Sequence, residues 1–121
     1  MSFFHSLQEL NLSQNNFASS STLVNADALM KALSTIPILK KLNLSRNKFV
    51  EFHSADLPED NIHLPLEEQV FPYLEELYFA FNLVPSEDKL FYPVTQLPNL
   101  KLLVITGNPF AMQQELPILN P

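Results

Sequence analysis

The stretch Leu39-Lys-Lys-Leu42-Asn-Leu44-Ser-Arg-Asn47-Lys-Phe49 decides how the rest of the chain is read, because it recurs. Leu7-Gln-Glu-Leu10-Asn-Leu12-Ser-Gln-Asn15-Asn-Phe17 comes before it. Leu74-Glu-Glu-Leu77-Tyr-Phe79-Ala-Phe-Asn82-Leu-Val84 and Leu100-Lys-Leu-Leu103-Val-Ile105-Thr-Gly-Asn108-Pro-Phe110 come after. All four fit L-x-x-L-x-L-x-x-N-x-L, with aromatic or branched replacements. Each is led in by an apolar residue three positions before its first leucine: Phe4, Ile36, Phe71 and Leu97. Self-similarity of this kind is the sequence signature of stacked repeats, in which no unit can bury its apolar face alone.

Side chains alternate between the two faces of an extended strand. Leu10 and Leu12 therefore point inward together, as do Leu42 and Leu44, Leu77 and Phe79, and Leu103 and Ile105 in the later copies. Stacked side by side, these pairs form one continuous core. The amide of the asparagine closing each strand can satisfy backbone groups of its own loop and of the next copy. Asn15, Asn47, Asn82 and Asn108 are accordingly predicted to form a buried ladder with a structural role, not a catalytic one.

The motif resembles that of the leucine-rich repeat family over nearly the whole chain. The resemblance implies an α/β leucine-rich repeat solenoid, a horseshoe segment with four short parallel strands on its concave face and irregular helices and loops on its convex side. The later copies also resemble the X-ray radiation resistance-associated leucine-rich proteins. That likeness rests on Phe71-Pro-Tyr-Leu-Glu-Glu-Leu-Tyr-Phe-Ala-Phe-Asn82, Ser86-Glu-Asp-Lys-Leu90, Pro93-Val94, Leu97-Pro-Asn-Leu100 and Val104-Ile-Thr-Gly-Asn-Pro-Phe110. It implies an intracellular protein, cytoplasmic and nuclear, linked to the response to X-rays and without a catalytic site. Ciliary proteins, phosphatase regulators and ubiquitin ligase adaptors share the general motif, so the fold alone does not select a function.

The first leucines, at 7, 39, 74 and 100, are separated by 32, 35 and 26 residues, so the connections carry insertions. After the first copy, Asn25 is placed to cap a helix with Asp27 in its first turn and Leu29, Leu33 and Ile36 on one face, ended by Pro37. Ser86-Glu-Asp starts a second helix with Leu90, Phe91, Val94 and Leu97 as its apolar stripe. Pro93 limits that helix to about two turns or bends it. Between them, 50–70 reads as an acidic insertion loop with Pro58 and Pro65. Leu116-Pro-Ile-Leu119 restates the lead-in of a further copy and no cap is visible. The reading is therefore a single domain, 1–121, cut from a longer solenoid whose uncapped ends would favour self-association.

A chain of 121 residues with 46% hydrophobic and 17% charged side chains supports one domain. It has no cysteine, which excludes disulfides, thiolate zinc sites and cysteine nucleophiles. The apolar runs are short and the first residues lack the pattern of a signal peptide, so neither a membrane partner nor secretion is expected. The net charge is -6, and no Lys or Arg falls between Lys48 and Lys89. This field disfavours nucleic acid, whose binding relies on clustered cations releasing counterions.

Chemical motifs are sparse. His53, Asp56, Glu59, Asp60 and His63 are the one cluster of imidazoles and carboxylates, and their spacing matches no zinc element. With a single glycine, Gly107, no phosphate-binding glycine loop exists. Neighbouring carboxylates at 67–68 and 75–76 point apart in extended chain and make no acid–base pair. Asn11-Leu-Ser13 and Asn43-Leu-Ser45 match a glycosylation sequon but lie within repeat strands. No enzyme, cofactor or metal site is expected.

The expected function is a protein-binding scaffold working from the outward side of the sheet. The alternative is an architectural segment of a larger repeat protein whose partner surface lies elsewhere. The repeat register puts Glu9, Asn11 and Ser13 outward, beside Lys41, Asn43 and Ser45, then Glu76, Tyr78 and Ala80, then Leu102, Val104 and Thr106. Glu9, Lys41 and Glu76 make an alternating charge row. Tyr78, Leu102 and Val104 make an aromatic–aliphatic patch of the kind found at interface cores. Partner binding, contact with a further C-terminal segment and ordinary scattered exposure all account for that patch. The candidate partner-contacting residues are Lys41, Glu76, Tyr78, Leu102, Val104 and Thr106.

Overall fold

The structure is a computed structural model and describes residues 6–15, 23–52 and 60–111. Its order is β1 (Glu9–Asn11), α1 (Leu23–Ser34), β2 (Lys41–Asn43), β3 (Glu76–Tyr78), α2 (Asp88–Val94) and β4 (Leu102–Val104), with two 3-10 turns, Asn61–His63 and Leu66–Glu68, between β2 and β3. The four strands form one sheet in sequence order, all parallel. The central leucines of the motif are in register: Leu10 opposite Leu42, Leu42 opposite Leu77, Leu77 opposite Leu103. Parallel pairing obliges each connection to cross back over one side of the sheet, and α1 and α2 lie in the first and third of those crossings.

Packing follows the motif and differs along the sheet. Leu42, Leu44, Leu77 and Phe79 are fully buried, whereas Leu10, Leu12, Leu103 and Ile105 are only partly covered. Burying a leucine or phenylalanine side chain contributes about 1.5 to 3 kcal/mol, so the two inner strands carry most of the stack. Around them Phe49 stacks on Phe79 at 5.5 Å between ring centres, and Phe52 meets the edge of Phe79 at 5.8 Å. Phe52 also approaches Phe71 at 6.1 Å.

The asparagine ladder is present. Asn47 Nδ2 donates to the carbonyls of Leu44 and Ser45 in its own loop and to Leu12 O in the preceding copy. Asn82 Nδ2 donates to Phe79 O and reaches back to Leu44 O, and Asn108 Nδ2 donates to Ile105 O and reaches back to Phe79 O. The side-chain oxygens accept in the same sense. Asn47 Oδ1 accepts from the Asn15 amide, Asn82 Oδ1 from those of Asn47 and Phe49, and Asn108 Oδ1 from that of Val84. Asn47, Asn82 and Asn108 are buried; Asn15 is exposed, against the expectation of four buried rungs. Its Nδ2 donates to Leu12 O and Ser13 O within its own loop, so the first rung closes its turn without reaching to an earlier copy.

The helices correct the expected boundaries. Helix α1 begins at Leu23, so Asn25 lies inside it instead of capping it. With Leu23 and Val24 already helical, Asn25 stands past the flanking position from which a side chain caps the first free amides. Met30 joins Leu33 and Ile36 in the core, while Leu29 is only partly buried. The helix ends as expected before Pro37, where the Ser34 and Thr35 hydroxyls donate to the Lys31 and Ala32 carbonyls.

Helix α2 starts where Ser86 Oγ donates to Asp88 Oδ1 at 2.6 Å, a contact that holds the Asp88 carboxyl below its ordinary pKa. Leu90 and Leu97 are buried, with Phe91 and Val94 packed beside them. Pro93 has no N–H to give the carbonyl four residues earlier, that of Lys89. The Phe52 amide donates to that carbonyl instead, at 3.1 Å. The residue that shortens α2 thus frees the acceptor that ties the second connection to it.

Residues 60–75 of that connection are tied down by side-chain hydrogen bonds. Asn61 is fully buried; its Nδ2 donates to Val70 O and Gln96 O and its Oδ1 accepts from the Val70 amide. Gln69 Nε2 donates to Leu64 O. One buried asparagine thereby joins the second connection to the residues just after α2. The expectations concerning Phe4, Phe17, Pro58 and Leu116–Leu119 fall outside the described residues.

Candidate protein-binding face

The outward side chains form rows across the strands. Glu9, Lys41, Glu76 and Leu102 occupy equivalent positions, and Asn11, Asn43, Tyr78 and Val104 form the next row. Adjacent strands lie about 4.8 Å apart, close enough for side-chain contact along a row. Lys41 Nζ stands 3.6 Å from Glu76 Oε2, and the Tyr78 hydroxyl donates to Glu76 Oε1. Glu76 therefore links the two rows. That hydrogen bond, with burial and the nearby charges of Glu76 and Glu9, raises the Tyr78 pKa above its ordinary 10.0.

Asn11 and Asn43 are turned to their own backbone, each Oδ1 accepting from the amide two residues on, Ser13 and Ser45, at 3.0 Å. Asx turns of this kind mark the ends of β1 and β2. A shallow depression of about 360 Å³ runs over β1 to β3, lined by Glu9, Asn11, Lys41, Asn43, Glu76 and Tyr78. Beside it Leu102 is 42% exposed, and Val104 is half-buried.

Five of the six candidate residues thus lie in adjoining rows of β2, β3 and β4, and the sixth, Thr106, is exposed in the loop after β4. Two other residues expected outward are not. Ser45 and Ala80 are buried, and Ser45 Oγ accepts from the Ala80 amide at 3.0 Å. The residue following each has a positive φ, 62° at Arg46 and 55° at Phe81, so the chain has already begun to turn under the neighbouring loop.

Among the exposed apolar residues that escaped the sequence reading, Phe81 and Leu83 lie just beyond the end of β3. Their signal was present in the alignment of copies. Phe81 occupies the slot filled by Gly107 in the last copy, and a lone glycine at a strand end marks a left-handed residue whose side chain stands clear of the core.

Among the described residues no group of three or more His, Asp or Glu converges on a metal position. Asp60 and His63 approach to 3.9 Å on the surface, while His53, Asp56 and Glu59 fall outside the described residues. No helix there is long and apolar enough to cross a membrane.

Comparison with known families agrees with this geometry over the first copy. Residues 6–26 match the family model described as Leucine Rich Repeat, which takes in β1 and the start of α1. The match supports the leucine-rich repeat reading of the motif, and the parallel four-stranded sheet is compatible with an α/β fold of that kind. No curated protein matches the chain.

Proposed function

We propose that this chain is a non-enzymatic protein-interaction module, a single-domain segment of a leucine-rich repeat solenoid, that engages another protein through the outward side of its sheet. The observation that carries this reading is the grouping of Tyr78, Leu102 and Val104 on adjoining strands, next to the Lys41–Glu76 pair. Partner binding at such surfaces is concentrated in a few aromatic and aliphatic anchors within a polar surround. Glu76 braces the Tyr78 hydroxyl, which leaves the ring as a pre-positioned anchor with less freedom to lose on binding. The resemblance of the later copies to the X-ray radiation resistance-associated leucine-rich proteins suggests the cellular setting: inside the cell, in cytoplasm and nucleus, in the response to radiation.

The test compares proteins captured from cell extract by the wild-type chain and by a Tyr78→Glu, Val104→Glu variant whose circular dichroism is unchanged. A partner retained by the first and lost by the second is the expected result. Identical captures would remove the face from consideration and favour an architectural role.

A further inference from the structure

The residue before each ladder asparagine adopts the left-handed conformation: Gln14, Arg46, Phe81 and Gly107 have φ of 62°, 62°, 55° and 82°. Glycine adopts it freely, whereas a residue with a Cβ does so at a steric disadvantage. Gly107 shows that this slot accepts glycine, so the side chains of Arg46 and Phe81 are not required by the turn. Backbone bonds from Arg46 N to Ala80 O, 3.0 Å, and from Phe81 N to Thr106 O, 2.8 Å, set the slots side by side.

The side chains then form a layered row. The Arg46 guanidinium carbon lies 4.2 Å from the centre of the Phe81 ring. On the other side, ring atoms of Phe81 come within 2.3 to 2.9 Å of the place a Cβ would take on Gly107. In the adjoining row, Leu83 N donates to Phe49 O at 2.8 Å, which sets Leu83 beside Phe49, the residue after Lys48, itself left-handed at φ 65°. Phe81 is 46% and Leu83 49% exposed. Arg46 and Lys48 are exposed as well, and neither pairs with a carboxylate among the described residues, whereas Lys41 and Lys101 do.

We propose that this rim, beyond the C-terminal ends of the strands, is a second docking surface for a protein segment that carries an Asp or Glu carboxylate next to an apolar side chain. Stacking on Phe81 fixes the plane of the Arg46 guanidinium and leaves its edge donors for a bidentate carboxylate contact. Lys48 adds a second positive charge, and Phe81 with Leu83 offers apolar surface to the neighbouring side chain. The charge pattern selects this occupant over nucleic acid. Two cations on a chain of net charge -6 suit one or two carboxylates and not an extended phosphate backbone. The surface is distinct from the rows of Tyr78 and Val104 and stands without them.

The test is selection of a random displayed peptide library on the full chain, with three variants in parallel. Arg46→Gly with Phe81→Gly puts glycine into left-handed slots and so keeps the turn. Arg46→Gln with Lys48→Gln removes the charges, and glutamine already occupies the equivalent slot of the first copy, where Gln14 has the same φ of 62° as Arg46. Tyr78→Glu with Val104→Glu alters only the sheet face. Wild type is expected to enrich peptides with Asp or Glu beside Leu, Ile or Phe. Those peptides should bind both rim variants about tenfold or more weakly and the sheet-face variant unchanged. No enrichment, enrichment of basic peptides, or equal binding to the rim variants overturns the proposal. So does displacement of the selected peptides by a single-stranded oligonucleotide that binds wild type more tightly than they do.

Discussion

Leu12-Ser13-Gln14-Asn15 and Leu44-Ser45-Arg46-Asn47 are nearly the same tetrapeptide in two settings. In both, the asparagine closes its own turn with the same two bonds, to the carbonyls of the Leu and the Ser. They differ in what lies alongside. Asn47 is fully buried and reaches Leu12 O one copy back, whereas Asn15 is exposed and bonds only its own loop through Nδ2. The same contrast separates Leu10, partly covered, from Leu42 and Leu77, fully buried. The local code makes the turn, and neighbouring copies on both sides make it a core. Identical residue types should therefore carry unequal weight along the chain, and four substitutions test how unequal.

The largest effect belongs to the inner leucines. Leu77→Ala should destabilise by about 2 to 5 kcal/mol, since a buried leucine loses its transfer energy and leaves a cavity that can relax only partly. Leu10→Ala, at the half-covered edge, should fall below that range in the same urea titrations. Equal losses would mean that the first copy is as deeply packed as the third.

Next come the ladder rungs. Asn47→Ala orphans the Asn15 amide and takes one of the donors from each of the carbonyls of Leu12, Leu44 and Ser45, for an expected loss of about 1 to 3 kcal/mol. Asn15→Ala leaves groups that water can reach and should shift the melting temperature less. Gly107→Ala is expected to lose about 1 to 2 kcal/mol through its left-handed backbone. It should also push Phe81 out of its place against Arg46, which the near-ultraviolet circular dichroism of the aromatic rings would register.

The smallest effect is a titration. Of the three tyrosines, Tyr78 should ionise above its ordinary 10.0 because its hydroxyl donates a hydrogen bond to Glu76. The folded state holds that proton more tightly than the unfolded chain. The resulting stabilisation is complete below the unfolded pKa and disappears as pH rises through the folded one. Absorbance at alkaline pH should lose a component titrating above 10.0 in Tyr78→Phe.

Much of this fold was legible in the sequence because the motif repeats its own physics. Alternating leucines fixed the inward face of each strand, and the asparagine at a constant offset located each turn. The outward rows of Lys41, Glu76, Tyr78, Leu102 and Val104 followed from the same register. Features outside the repeat were harder to see. Asn61 staples the second connection through bonds to Val70 and Gln96, partners nine and thirty-five residues away that no local pattern reveals. The tie from Phe52 to the Lys89 carbonyl arises only once Pro93 and the loop are placed together in space. The burial of Ser45 and Ala80 was missed because alternation was carried beyond the strand ends, Asn43 and Tyr78, to the positions immediately before the left-handed turn.

The central claim is that asparagine side chains couple each copy to the one before it, so that the four strands act as one sheet. Native-state amide exchange in Asn82→Ala tests it most directly. Asn82 Oδ1 accepts from the amides of Asn47 and Phe49, 35 and 33 residues upstream. The expected result is selective loss of protection at Asn47 and Phe49, with the amides paired between β1 and β2 still protected. Unchanged protection at Asn47 and Phe49 would show that the copies are held together by something other than the ladder.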